Sequence, residues 1–128
     1  MIGGRVLDES FLVAFASRTS VYAEAAVWTA VDRSVVLVVP SSAMAVAAAQ
    51  LTTKDLPVLE VLLALPVTVA DELTFTRARA VAEVAAELGA DLVTAHVVAC
   101  ARDRDWPVLT GDPDRYHGRT GVEVEPLP

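Results

Sequence analysis

Three aspartates stand where a hydrophobic element meets a turn: Asp8, Asp91 and Asp112. The last lies in the segment 108–114, Val-Leu-Thr-Gly-Asp-Pro-Asp. Hard divalent cations such as Mg²⁺ prefer oxygen ligands, and a few carboxylates together with water and phosphate oxygens complete their coordination. Such an ion activates water and neutralises the charge that develops on a phosphodiester. If the three side chains meet in the fold, they form a metal site suited to phosphodiester hydrolysis.

The hydrophobic pattern predicts a sheet that gathers these aspartates at one edge. Strands are predicted over 5–7, 35–39, 66–70 and 108–110, with a last edge strand over 122–125. Helices are predicted over 10–16, 21–31, 41–51, 53–64, 72–88 and 91–104, with Ser20 and Asp71 as N-caps and Gly89 closing the fifth helix. This alternation predicts one three-layer α/β/α, Rossmann-like domain over 1–128 with a mainly parallel sheet. Ligands collect at the carboxyl ends of the strands in such sheets.

Length and composition bound the protein class. The 128 residues suffice for one buried core and are too few for two. The mean hydropathy of +0.47 is high, but the longest apolar stretch, 35–51, is interrupted by polar residues and a proline. No membrane span is therefore predicted. Acids precede the apolar segment 11–16, which argues against a signal peptide. The single Cys100 predicts a buried thiol in a reducing compartment, with the cytoplasm as the default.

The charge argues against nucleic-acid binding through bulk electrostatics. The net charge is −7 and the pI about 4.6, whereas a basic face normally supplies most of that affinity. A nuclease is still compatible with these values, because bound cations would cancel the charge of the site carboxylates. All basic residues except Lys54 are arginines, which suit bidentate phosphate contacts.

Three segments together resemble the PIN domain, and within it the small bacterial VapC-type toxin ribonucleases. They are 6–10 (Val-Leu-Asp-Glu-Ser), 90–96 (Ala-Asp-Leu-Val-Thr-Ala-His) and 108–116 (Val-Leu-Thr-Gly-Asp-Pro-Asp-Arg-Tyr). The resemblance covers nearly the whole chain, and the last segment is the most specific. It implies a Rossmann-like sheet, a Mg²⁺ or Mn²⁺ site, endonucleolytic cleavage of RNA, homodimers, and often a small antitoxin encoded beside the toxin.

The chain departs from the family pattern at one position of the implied site. The family has a glutamate in the helix after the second strand, and residues 41–51 contain no acid. The site is therefore assigned to Asp8, Asp91 and Asp112 as catalytic and metal-binding residues. Asp114 is assigned as a fourth metal ligand, and Glu24 is a remote alternative.

Two functions follow from this assignment. The first is a divalent-metal-dependent endoribonuclease, the toxin of a toxin–antitoxin pair. The alternative is a catalytically degenerate PIN-like module that binds protein or RNA without cleavage. A phosphorylated receiver domain ranks far lower, because it needs a lysine after the last strand and Lys54 lies mid-chain.

Each of these residues also has an ordinary structural interpretation. Asp8 and Asp91 fit as helix caps and Asp112 as a turn residue. His96, four residues before Cys100, is predicted to be a buried structural histidine, since one His and one Cys are too few for a zinc site. His117, beside Arg115, Tyr116 and Arg119, is predicted in a solvated loop, where this group could also touch RNA phosphates. The helix residues Arg77, Arg79, Arg102 and Arg104 are predicted to face solvent. Trp28 and Trp106 are predicted in the core or a dimer interface, and the apolar surplus predicts a homodimer through helix faces within 35–63.

Overall fold

The computed structural model describes residues 3–118 and 120–128 of the chain. Its strands are β1 (Gly4–Leu7), β2 (Val36–Pro40), β3 (Thr68–Asp71), β4 (Val108–Thr110) and β5 (Val124–Pro126). Its α-helices are α1 (Glu9–Ala16), α2 (Val21–Arg33), α3 (Ser41–Gln50), α4 (Leu56–Leu63), α5 (Phe75–Leu88) and α6 (Leu92–Arg104). A short 3-10 helix, Pro113–Tyr116, follows β4.

The five strands form one sheet in the order β3-β2-β1-β4-β5, and every neighbouring pair is parallel. Val6 of β1 pairs with Val38 of β2 on one side and with Val108 of β4 on the other. These residues are fully buried, as expected for β-branched strands covered on both faces. The predicted three-layer α/β/α architecture is confirmed, and the sheet is wholly parallel.

Most helix ends follow the predicted capping. The Ser20 side chain accepts a hydrogen bond from the amide of Ala23 and begins α2, as predicted. Gly89 ends α5 with a φ of +61°, a left-handed conformation that favours glycine. Glycine is also required at Gly4, because an added Cβ would lie 2.2 Å from the Trp106 ring. Trp106 therefore packs against the start of β1, which agrees with its predicted core position.

The predicted N-cap at Asp71 is wrong. Asp71 is the last residue of β3, where it pairs with Pro40 of β2. Helix α5 begins four residues later, after Thr74, whose side chain accepts from the amide of Arg77. Parallel pairing with β2 extends the strand through Asp71, so this carboxylate lies at the sheet edge and does not cap a helix.

Helix α6 is the most buried helix among the described residues. Residues 94–101 are all buried, and the helix packs against α3, α5, β1 and β2. This burial explains the apolar sequence around Cys100, which is itself fully buried as predicted. In the described part of the chain, no single helix is long and apolar enough to span a membrane; α5 and α6 reach that length only as a pair bent by 105°.

Candidate functional site

Two clusters of polar side chains lie along one edge of the sheet. Because all the strands are parallel, their carboxyl ends meet at this edge, where ligands collect in such folds. The Asp8 cluster lies beyond β1 and β4 and comprises Asp8, Glu9, Ser10, Thr110, Arg115 and Tyr116. The Asp71 cluster lies beyond β2 and β3 and comprises Ser42, Asp71, Arg77, His96, Cys100 and Arg104.

The Asp8 carboxylate is fully buried and accepts four hydrogen bonds. Its Oδ1 accepts from Ser10 Oγ at 2.6 Å and from the amide nitrogen of Phe11 at 3.0 Å. Its Oδ2 accepts from the Tyr116 hydroxyl at 2.7 Å and, over a longer 3.4 Å, from Arg115 Nη1. A carboxylate has about four lone-pair sites. Asp8 therefore has each of them occupied by a protein donor.

Glu9 and Arg115 form a bidentate ion pair beside Asp8. Arg115 Nη1 donates to Glu9 Oε1 and Nη2 donates to Oε2, each at 2.5 Å. This hydrogen bonding raises the pKa of Arg115 despite its partial burial. Burial, followed by the nearby Asp8 charge, raises the pKa of Tyr116, so its hydroxyl stays protonated and donates to Asp8. The guanidinium therefore contacts two buried carboxylates at once.

Ser10 and Thr110 connect the start of α1 to the end of β4. Ser10 Oγ gives its proton to Asp8, accepts from the amide of Gly111 at 2.8 Å, and lies 3.2 Å from Thr110 Oγ1. Thr110 Oγ1 in turn accepts from the amide of Asp112 at 2.9 Å. These bonds fix the loop after β4 against Asp8.

The other predicted site acids are exposed at this end of the fold. Asp91 caps α6, its Oδ1 accepting from the amide of Thr94 at 2.7 Å; this bond, above all, lowers the pKa of Asp91. Asp112 follows β4, and its amide rather than its carboxylate contacts Thr110. Asp114 lies 3.0 Å from His117 Nε2 in the exposed loop. The caps predicted at Asp8 and Asp91 are thus present whatever further role these residues have.

A hard divalent cation does not fit Asp8 while Arg115 and Tyr116 hold it. Both Asp8 oxygens are occupied by donors, and the adjacent guanidinium adds positive charge. Among the residues described, only Asp71, His96 and Cys100 form a group of three or more acidic, His or Cys donors whose ligand atoms lie within 4.8 Å of one another. The four predicted acids do not form such a group in this conformation.

The Asp71 carboxylate also accepts four hydrogen bonds. Its Oδ1 lies 2.9 Å from His96 Nε2 and accepts from Arg77 Nε at 3.1 Å. Its Oδ2 accepts from Arg77 Nη2 at 3.3 Å and from Arg104 Nη1 at 3.0 Å. Burial by itself would raise the pKa of Asp71, but the hydrogen bonds from His96 and Arg77 outweigh it and lower the pKa to about 2. Asp71 is therefore a permanently charged centre at neutral pH.

His96 bridges Asp71 to the start of α3. The ring is fully buried, and its Nδ1 lies 2.7 Å from Ser42 Oγ. Because ionised Asp71 only accepts, Nε2 carries the ring proton, and in the neutral ring Nδ1 accepts from Ser42. Ser42, His96 and Asp71 are thus linked in the order hydroxyl, imidazole, carboxylate, an arrangement that polarises a serine hydroxyl. The prediction that His96 is buried is confirmed.

Asp71, His96 and Cys100 are a candidate group of ligands for a transition metal such as zinc. The four acceptor positions of Asp71 are already occupied, however, and two guanidiniums adjoin it. Burial, followed by the Asp71 charge, raises the pKa of Cys100 to about 12, so the thiol is protonated. The charges therefore suit a hydrogen-bonded structural cluster better than a bound dication.

The whole chain superimposes on a solved structure, VapBC2 from Rickettsia felis bound to a DNA fragment from their promoter. The TM-score is 0.69 with 13% identity, and the match covers 100% of both chains. The fold is PIN-like. No protein-family model matches the sequence. No curated protein matches it either, so the likeness is one of fold alone.

Within this PIN-like fold, several residues that hold the clusters together were predicted in a solvated loop or on solvent-facing helix surfaces. Arg115 and Tyr116 instead turn inward to Glu9 and Asp8. Arg77 and Arg104 likewise turn to Asp71. Arg119, assigned to the same loop as Arg115, lies outside the described residues. The burial of a partner carboxylate, which the sequence does not display, draws these arginines inward.

Asp71 is the site residue that sequence reasoning missed although a signal was present. It directly follows the predicted strand 66–70, just as Asp8 directly follows the predicted strand 5–7, and position at a strand end was the criterion that selected Asp8. Asp71 was assigned as a helix N-cap instead, because an acid before a helical pattern is also a common N-cap.

Proposed function

We propose that this protein is a PIN-like module of the toxin–antitoxin class that binds a small partner protein and has a degenerate nuclease site. The observation that carries the proposal is the state of Asp8. Its carboxylate is buried and saturated by protein donors, where a PIN nuclease would need oxygen atoms free for a cation. The helix after β2, residues 41–50, adds no acid to replace it.

An apolar groove between α2 and α4 supports the binding of a partner protein. Its lining is mostly apolar, with two charged side chains: Phe15, Trp28, Pro57, Val58 and Val61 together with Arg18 and Glu24. Trp28 is 47% exposed and Val61 52% exposed, so the groove presents apolar surface to solvent. A half-exposed tryptophan beside aliphatic and charged side chains is typical of a protein interface. The solved neighbour is VapBC2 bound to a DNA fragment from their promoter, which supports a partner protein for a chain of the same fold.

Co-purification tests this groove. The probe is the product of a short reading frame adjacent to the gene, co-expressed with the full chain. Trp28→Asp and Val61→Asp are expected to abolish co-purification, because each places a charge in the apolar groove. Phe75→Asp is the matched control, since Phe75 is 93% exposed on α5, away from the groove. Equal loss in all three variants, or none, would count against the groove.

A metal-dependent endoribonuclease is the second candidate function. It is favoured by the position of Asp8 and Asp112 just beyond the neighbouring strands β1 and β4, with Asp91 at the start of α6. In this proposal Asp8, Asp91 and Asp112 would hold Mg²⁺ or Mn²⁺ with Asp114 assisting, and the ion would supply an activated water for attack on RNA. Arg115 and Tyr116 would have to move away from Asp8 first.

RNA cleavage decides between the two candidates. Wild type, Asp8→Asn and the exposed control Asp32→Asn are incubated with RNA and either Mg²⁺ or Mn²⁺. For a degenerate site we expect no metal-dependent cleavage by any of the three proteins. Cleavage by wild type and Asp32→Asn that is lost in Asp8→Asn would overturn the degenerate site and establish the nuclease.

A homodimer in the cytoplasm remains part of the proposal. Exposed apolar side chains such as Val61 are consistent with a covered surface. Sedimentation of the purified chain measures the assembly directly, and a monomer at all concentrations would refute the dimer.

A further inference from the structure

Arg115 lies where two buried carboxylates need a positive charge. Asp8 is fully buried and Glu9 is 7% exposed, and the same guanidinium contacts both. Buried carboxylates are costly unless a cation or hydrogen-bond donors compensate them. Here the compensating cation belongs to the chain itself.

The fold holds Arg115 in place through its neighbour Tyr116. Tyr116 is 3% exposed, its hydroxyl donates to Asp8, and its carbonyl accepts from Thr120 Oγ1 at 2.6 Å. The Arg115 guanidinium also lies over the Tyr116 ring, 5.8 Å from its centroid. The short 3-10 helix that follows β4 therefore presents the guanidinium to the carboxylates.

The formal charges of the Asp8 cluster are compatible with Arg115 or with a divalent ion, but not with both. Asp8 and Glu9 carry two negative charges and Arg115 one positive charge, so a divalent ion added to Arg115 would reverse the sign of the cluster. A divalent ion in place of Arg115 would balance the two carboxylates. Metal and guanidinium therefore compete for the same place.

We propose that Arg115 is the resident cation of the strand-end site, and that the Asp8–Glu9 pair binds a divalent metal only when the guanidinium is removed. The inference rests on the proposed function and goes further by naming the one side chain, among the donors around Asp8, whose charge excludes the metal. It makes Arg115 the residue that decides metal binding, although Arg115 is not one of the predicted site acids.

Calorimetric titration of the full chain with Mn²⁺ alone tests the inference. The variants are Arg115→Met, which removes the charge, and Arg115→Lys, which keeps it. Arg5→Met is the matched control, because Arg5 pairs with Glu125 at 2.9 Å outside the cluster. We expect Arg115→Met to bind Mn²⁺ at least about tenfold more tightly than wild type, Arg115→Lys and Arg5→Met. Adding Asp8→Asn to Arg115→Met should abolish the gain.

Two outcomes would overturn the inference: wild type binding Mn²⁺ as tightly as Arg115→Met, or Arg115→Met binding no more tightly than Arg5→Met. If Arg115→Met is unfolded without metal, Mn²⁺ is expected to restore its circular dichroism spectrum, and a failure to do so also overturns the inference. Partner co-purification is measured separately on wild type. If Arg115→Met shows no gain in Mn²⁺ affinity while the wild type still co-purifies with its partner, the role of Arg115 is rejected and the proposed function stands.

Discussion

Asp8 and Asp71 are two buried carboxylates at the same sheet edge, and each accepts four hydrogen bonds. Their charge balance is opposite. Asp71 has two guanidiniums for one buried carboxylate, whereas Asp8 and Glu9 share the single guanidinium of Arg115. Equal numbers of hydrogen bonds therefore accompany different charges: the Asp71 cluster has more guanidinium than buried carboxylate charge, and the Asp8 cluster keeps one uncompensated negative charge while Arg115 is in place.

The largest expected effect comes from removing the Asp71 charge. Asp71→Asn removes the negative charge that Arg77, Arg104 and buried His96 share and replaces one acceptor oxygen with an NH₂ donor. Breaking a buried ion pair in this way costs about 3–5 kcal/mol. We expect the free energy of unfolding to fall by this amount in urea denaturation. The control is Asp103→Asn, which removes a half-exposed partner of Arg77 and should cost less than about 1 kcal/mol. Equal losses in the two variants would show that Asp71 is not the centre of its cluster.

Acid titration should show a smaller effect of the same cluster. The pKa of Asp71 is about 2 in the folded protein, below its ordinary value of 3.8. A depressed pKa contributes stability that is complete above the unfolded pKa and is lost as the pH falls through the folded pKa. The difference in unfolding free energy between wild type and Asp71→Asn should therefore shrink by about 1.5 kcal/mol from pH 5 to pH 2.5. A difference that stays constant over this range would contradict the lowered pKa.

The smallest effect is expected at the Asp8 cluster from Tyr116→Phe. This variant removes one of the four donors to Asp8 while Arg115 still contacts the same oxygen. The loss of one hydrogen bond should lower the free energy of unfolding by about 1 kcal/mol. Tyr22→Phe is the control, because Tyr22 is exposed on α2 and should not change stability. A neutral Tyr116→Phe would mean that Ser10, the Phe11 amide and Arg115 hold Asp8 without a contribution from the tyrosine hydroxyl.

Much of the fold was predictable because its signals are local. The β-branched run of β2, the Ser20 cap and the Gly89 terminator each act within a few residues, and the structure has all three. The error at Asp71 arose where two local interpretations competed. Pairing with β2, a contact distant in sequence, decided between strand end and helix cap.

The sequence by itself determined the strand–helix alternation, the parallel sheet and the edge at which Asp8 and Asp112 lie, because hydrophobic period and turn residues specify these locally. It also showed that residues 41–51 contain no acid. Only the tertiary structure decided which cation meets each carboxylate. Arg115 reaches Glu9 across 106 positions, and Arg104 reaches Asp71 across 33. Such pairs form because burial makes an isolated charge costly, and burial is a property of the packed chain.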